Sequence, residues 1–267
     1  MSDQTLEIET RGETLWVTLN RPERLNAMNE AMVNALNGLF DDLQGRHDIR
    51  TVVLRGAGKN FCAGLDLQAE GARGEGRMDV SAGLLYQHKV ARIAIGMRRC
   101  PQPIICLIDG AAAGGGFAMA LASDVRIATP TARMNAAFIR IGLSACDVGV
   151  SYFLPRMVGS SVASELMLTG RFIHAPRAEA LGLVSKIVAP EALEAEAEAL
   201  VAEMHATTPL GLRLTKEALN FSIDAGGLEA AIAMEDRNQI LASRGEDVRE
   251  GVRAFLEKRP PNYSRQG

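Results

Sequence analysis

At 267 residues, 47% of them hydrophobic, the chain is long enough to bury a sizeable core as one large domain or a domain with an appendage. An aromatic share of 4% offers few base-stacking surfaces, and a formal charge of −3 gives no basic field, so neither a nucleic acid nor an anionic membrane surface is an expected partner. The N-terminal "MSDQTLEIETRGETLWVTL" has early acids and no apolar leader segment, and no run approaches the roughly 18 apolar residues of a membrane span. The expectation is a soluble, cytoplasmic protein.

In chain order, "LWVTLN" (15–20) and "TVVLRG" (51–56) read as strands from their length and β-branched content. Between them, "NEAMVNALNGLFDDL" predicts a helix capped by Asn29, with Met32, Val33, Leu36, Leu39, Phe40 and Leu43 on one face. The charged, glycine-rich "EGARGEGRMD" (70–79) reads as a mobile loop. A second helix is predicted over 82–97, ended by "RRCPQP". "PIICLIDG" (103–110) and "DVRIAT" (124–129) are the next strands, and strand–helix–strand alternation implies parallel pairing around a βαβ-type core. From about residue 160 the pattern is helical apart from "GLVSKIV" (182–188). Leu193, Ala197, Leu200, Val201 and Met204 stripe one helix, two more follow near 210–223 and 228–242, and the last, "GEDVREGVRAFLEKRPP", stops at the double proline.

Cys62, Cys100, Cys106 and Cys146 show no CxxC spacing, so they read as reduced, mostly buried thiols, with no disulfide framework and no metal site. Chemistry is expected where backbone is bared: at "KNFCAGLDLQ" (59–68) and at the glycine triplet Gly114–Gly116 in "IDGAAAGGGFAMALASD" (108–124). A strand-to-helix turn with outward N–H groups is an anion site, and two such turns could share one oxyanion. Close helix–strand packing accounts for glycine equally well, and both readings stand at this point. "RGAGKN" (55–60) lacks the spacing and the hydroxyl residue of a phosphate loop, and the triplet lacks the GxGxxG spacing of a dinucleotide site.

Five stretches in order, "NRPERLNAM" (20–28), "NFCAGLDL" (60–67), "IDGAAAGGGFAMALASDVRIA" (108–128), "LTGRFIHAPRAEALGLVSKIV" (168–188) and "AFLEKRPPNY" (254–263), resemble the enoyl-CoA hydratase/isomerase (crotonase) family. The resemblance implies an α/β fold: a ββα spiral core over 1–200 that binds an acyl-CoA thioester, and a C-terminal helical region over 201–267 that makes a homotrimer or a hexamer built as a dimer of trimers. No cofactor is implied, since coenzyme A is part of the substrate. The thioester oxygen of the family sits between two backbone N–H groups, which by position are those of Leu65 and Gly115. The resemblance also places Arg24, Ala63, Asp66, Leu67, Gly114 and Phe138 at the substrate, Arg24 and the nearby Lys59 toward the CoA phosphates, and Phe255 and Lys258 toward a neighbouring subunit's CoA.

Hydratases of the family carry two glutamates; the matching positions here hold Ala118 and Phe138. A general acid or base contributes roughly 10²–10⁴-fold, so hydration by the usual pair is disfavoured. The remaining acid is Asp147, in a segment similar to the family's GLxPDxG pattern but one residue longer. One carboxylate suffices for a 1,3 proton shift through an enolate, so an isomerase-like enzyme is expected with Asp147 catalytic. Asp147 as a cap of the helix starting near Gly149 is the alternative, and a non-catalytic acyl-CoA-binding protein is the alternative function. Tyr86, His88 and Cys146 are weak catalytic candidates, and His47, His174 and His205 read as surface or cap residues.

Overall fold

The β-branched runs pair as the alternation implies. In the computed structural model, which describes residues 5–71 and 79–264, strands β1 (Leu6–Arg11), β2 (Thr14–Leu19), β3 (Thr51–Gly56), β4 (Ile104–Ile108), β6 (Val125–Ala128) and β9 (Lys186–Ile187) form one sheet in the order β1-β2-β3-β4-β6-β9. The β1–β2 hairpin is antiparallel and every later pairing is parallel, with Val17 opposite Leu54 and Leu54 opposite Cys106. A second sheet of three short strands, β5 (Ala111–Ala113), β7 (Arg133–Asn135) and β8 (Ile173–His174), stands beside it. The expected mobile loop at 70–79 lies, over 72–78, outside the described residues.

Period-2 alternation divides the large sheet's two faces. Trp16, Val53, Ile105, Leu107 and Ile127 meet Leu193 and Ala197 of α8 (Leu193–His205), with Leu200, Val201 and Met204 of the same stripe packed on them. On the other face Leu15, Val17, Leu54 and Cys106 join Met32, Val33, Leu36 and Phe40 of α1 (Glu30–Asp42). Asn29 caps α1 as expected, accepting from the Met32 N–H. After the short α2 (Leu67–Gly71), α3 (Val80–Arg99) is one turn longer than predicted; Asp79 caps its start and Val90, Ile93, Ala94 and Met97 form its buried face.

The glycine triplet opens α4 (Gly115–Ala122), whose residues are all buried. Helices begin before residue 160: α5 (Val150–Val158) precedes α6 (Ser160–Thr169) and α7 (Ala175–Ala180). α9 (Pro209–Ser222), α10 (Leu228–Ser243) and α11 (Glu246–Glu257) fall where the sequence places them. α10 buries none of its side chains, and Leu219, Phe221, Leu228, Ile240, Leu241, Phe255 and Leu256 of these three helices are exposed. α9 is tied to the core by a buried ammonium: Lys216 Nζ donates to the Met97 and Gln102 carbonyls at 3.1 and 2.7 Å and lies 2.9 Å from Asp124 Oδ2. Arg98 holds the other Asp124 oxygen at 3.1 Å. No helix among the described residues is long and apolar enough to cross a membrane.

Candidate active site

The two backbone turns singled out in the sequence pack against each other. In the first, Gly64 has φ 99°, a left-handed value suited to glycine, and the chain around it is stitched on both sides. Ala63 N–H donates to the Leu25 carbonyl, Met28 N–H to the Gly64 carbonyl, and Asp66 N–H to the Met28 carbonyl, at 3.0, 2.7 and 2.9 Å. In the second, Gly114 has φ 53° and donates to the Asn135 carbonyl, while Ala118 N–H closes the first helical bond onto the Gly114 carbonyl at 3.0 Å. Among the described residues, neither Leu65 N–H nor Gly115 N–H donates a hydrogen bond. Gly115 N belongs to the first turn of α4, where helical N–H groups have no internal partner.

The packing is main chain on main chain. A Cβ on Gly64 would lie 2.9 Å from the Ala113 carbonyl oxygen and 3.4 Å from Gly115 N; one on Gly116 would lie 2.2 Å from the Cys62 carbonyl oxygen. The triplet divides by residue: Gly116 is set by close packing, while Gly115 leaves its N–H without an acceptor next to the other turn. A Cβ on Gly115 would meet only the mobile end of Met28, its Cε at 2.5 Å. The Phe138 ring, 7% exposed, stands with Cε1 3.5 Å from where a Gly114 Cβ would be, and Ala118 is fully buried.

Asp147 lies just before α5, which packs on α4. Its Oδ1 accepts from Gln87 Nε2 of α3 at 2.5 Å and from Val148 N–H at 2.8 Å. Its side chain does not cap α5, whose N-cap, Gly149, makes no side-chain capping bond; only the Asp147 carbonyl does so, accepting from Val150 N–H at 2.9 Å. Val148 has φ 45° and Gly149 φ 86°. A β-branched residue in the left-handed region costs about 1–3 kcal/mol and such strain gathers at functional positions. Val148 and Gly149 line a cavity of about 470 Å³ between α3 and α5, with Ala94, Phe153, Arg98 and Asn220 among its other walls.

The remaining candidates divide. Asp66, expected at the substrate, is 4% exposed and fully engaged: Arg24 Nη2 at 3.0 Å and Arg21 Nη2 at 2.9 Å pair with its two oxygens, and the N–H groups of Gln68 and Ala69 donate to Oδ1. The Arg24 hydrogen bond, reinforced by Arg21, holds its carboxyl well below the usual carboxylate range. These bonds anchor the loop. Arg24 is raised by the same bond, with its side chain 35% exposed at the surface. Leu67 and Lys59 are exposed, and Ala63 is half-buried beside Gly64. Phe255 is 82% exposed at the end of α11, where Lys258 turns left-handed at φ 54°; in one chain neither bonds to the two turns among the described residues.

Three cysteines are buried and Cys146 is exposed; burial pushes the Cys62 and Cys106 thiols up to about 12. His88 is exposed. His205 is not a surface residue: it is half-buried, its Nε2 3.0 Å from Thr51 Oγ1, and burial first, then Arg50, lowers its pKa.

Sequence reasoning missed Arg21, Asn26 and Gln87. Asn26 is fully buried, its Nδ2 donating to the Ala57 and Asn60 carbonyls and its Oδ1 accepting from Arg21 N–H, so one amide joins the "NRPERLNAM" loop to the end of β3. Gln87 was legible from helix phase: it lies three residues before Val90 and seven before Ala94, on the buried stripe that His88 leaves.

Fold and paired turns together define an α/β protein of the crotonase type. The sequence profile described as Enoyl-CoA hydratase/isomerase matches residues 9–266, and the chain belongs to that family. A Mycobacterium leprae protein named a probable enoyl-CoA hydratase is 38% identical over 253 residues, covering 94% of this chain and 86% of that one. The 1,2-epoxyphenylacetyl-CoA isomerase of Escherichia coli K12 is 36% identical over 251 residues, covering 93% and 94%. Among solved structures, a probable enoyl-CoA hydratase/isomerase from Mycobacterium abscessus superposes with a TM-score of 0.89 at 37% identity over 98% of this chain and 100% of that chain. An enoyl-CoA hydratase from Bacillus anthracis gives 0.91 at 30% identity over 97% and 99%.

Proposed function

We propose that the protein is an acyl-CoA enzyme that stabilises a thioester enolate between the N–H groups of Leu65 and Gly115 and moves one proton with Asp147. The observation that carries this is the contact of two turns that each bare an N–H group without an acceptor. A preorganised donor aimed at a developing oxyanion is worth roughly 2.7–4 kcal/mol, and the positive end of α4 adds to it. Because Ala118 and Phe138 stand where the family's hydratases have glutamates, the chemistry is a double-bond or ring isomerisation; the isomerase name of the E. coli relative supports this.

Arg24 keeps exposed guanidinium for a CoA phosphate, and Ala63, Leu67, Gly114 and Phe138 line the thioester's path. No cofactor beyond the CoA of the substrate takes part. Residues 1–200 form the acyl-CoA-binding core, and residues 201–267, with their exposed leucines and phenylalanines, form the face that joins a homotrimer or a dimer of trimers, bringing Phe255 and Lys258 to a neighbour's CoA. Reduced thiols suit the cytoplasm.

The test is mass-resolved turnover of 2-enoyl-, 3-enoyl-, dienoyl- and epoxyacyl-CoA thioesters in D₂O, beside Asp147→Asn and Gly115→Pro. Proline is tolerated at the first position of a helix, so Gly115→Pro deletes a donor at small cost to folding. Deuterium uptake or double-bond migration lost in Asp147→Asn, with binding kept, supports the reading; addition of water refutes the isomerase assignment. Tight binding without turnover favours the second reading, a silent acyl-CoA binder, for which the apolar Ala118 and Phe138 speak.

A further inference from the structure

We propose that Gln87 is a positioning residue for Asp147: its amide and the Val148 N–H together fix Oδ1, leaving Oδ2 as the atom that takes and returns the substrate proton. The inference rests on Asp147 being the proton-moving group. Both bonds to the carboxylate, at 2.5 and 2.8 Å, fall on Oδ1, and among the described residues Oδ2 accepts none. The two donors come from independent parts of the fold, the buried stripe of α3 and the turn before α5. Val148 points its N–H back at the preceding side chain from a left-handed conformation that a valine otherwise avoids.

The arrangement suits a group that must change protonation twice per turnover. For a 3-enoyl thioester, the Oδ2 lone pair takes the Cα proton, and the C–H electrons form a Cα=C1 bond while the carbonyl π electrons move onto the oxygen held by the two turns. In return, the enolate re-forms its C=O, the double bond moves to Cα=Cβ, and Cγ takes the proton from Oδ2. Throughout, Oδ1 stays an acceptor, as a carboxylate oxygen in one state and as the carbonyl oxygen of the acid in the other. Neither donor has to move. Gln87 is neutral and cannot itself take the proton at ordinary pH, which keeps the proton on one group.

The test is Gln87→Met, which keeps chain length and removes the donor, with Gln87→Glu as a second, isosteric variant that accepts instead of donating. Both are assayed with whichever thioester of the panel above turns over fastest, alone and in the Asp147→Asn background. Expected is a kcat lowered roughly 10- to 100-fold, the range for losing a hydrogen bond to a charged group, with KM unchanged and no further loss in Asp147→Asn. Wild-type kcat in both Gln87 variants, alongside an inactive Asp147→Asn, overturns the positioning role alone. A raised KM, or a loss that multiplies with that of Asp147→Asn, assigns Gln87 to packing and also overturns it. An active Asp147→Asn, or no turnover across the panel, overturns the Asp147 reading and this inference with it.

Discussion

Substituting Gly116 by alanine asks whether the two turns are held apart by main chain. The added Cβ would sit 2.2 Å from the Cys62 carbonyl oxygen, 2.8 Å from Cys62 Cβ and 2.9 Å from the Cys62 carbonyl carbon. An ordinary contact is about 3.5 Å or more, so one turn must retreat by about an ångström. Overpacking of a rigid core costs typically 1–3 kcal/mol, and a main-chain obstacle belongs at the upper end. For a chain of this size each kcal/mol lowers Tm by roughly 2–4 °C, so Gly116→Ala should melt roughly 6–10 °C below wild type.

Gly115→Ala meets only Met28 Cε and should cost about 1 kcal/mol, since a methionine end can swing aside. The controls separate the causes. In double-mutant cycles the added cost of Gly115→Ala should vanish in a Met28→Ala background, whereas that of Gly116→Ala should persist in a Cys62→Ala background, because the obstructing atom is a carbonyl oxygen that every residue carries. Thermal unfolding followed by circular dichroism reads the four single variants and the two doubles. A Gly116→Ala protein within about 2 °C of wild type, or one restored by Cys62→Ala, would show that the close approach does not govern the triplet.

Two further outcomes follow from the polar anchors. Asp66→Asn leaves Arg21 and Arg24 without their shared carboxylate and should cost about 3 kcal/mol near neutral pH. The folded carboxyl is depressed, so its contribution is complete above the unfolded pKa near 4 and shrinks as pH falls below it. Urea midpoints of wild type and Asp66→Asn should therefore converge below about pH 4, and a constant gap would contradict the linkage. Lys216→Met should cost roughly 3 kcal/mol by stranding the Met97 and Gln102 carbonyls and leaving Asp124 with Arg98 as its remaining cation, with less than additive loss when combined with Asp124→Asn; additive urea-denaturation losses would refute the coupling.

The elements that could be read in the sequence are those whose side chains alone decide them. β2, β3, β4 and β6 are apolar on both faces because α1 and α8 cover both, and such runs stand out. β1 was missed because "LEIETR" is an edge strand with solvent on most of its length, and its charges interrupt any apolar run. β5, β7 and β8 have two or three residues each and exist through pairing with one another, which no local pattern carries. At the site, the motifs located both turns, yet their contact across about fifty residues of chain and the close packing at Gly116 needed coordinates. The pairing of Asp66 could not be read locally, because its partners, Arg21 and Arg24, lie over forty residues away in the chain.

The turn-to-turn contact is written almost entirely in backbone atoms: the Cys62 carbonyl against Gly116, the Ala113 carbonyl against Gly64, and the parallel bridge between Cys62 and Ala112. Side chains at 87, 118, 138 and 147 do not take part in that contact. A lineage of such proteins could therefore exchange the side chains around the turns, one substitution at a time, without disturbing the two bared amides. The division makes the scaffold permissive toward new reactions and strict toward mutation at Gly64 and Gly116.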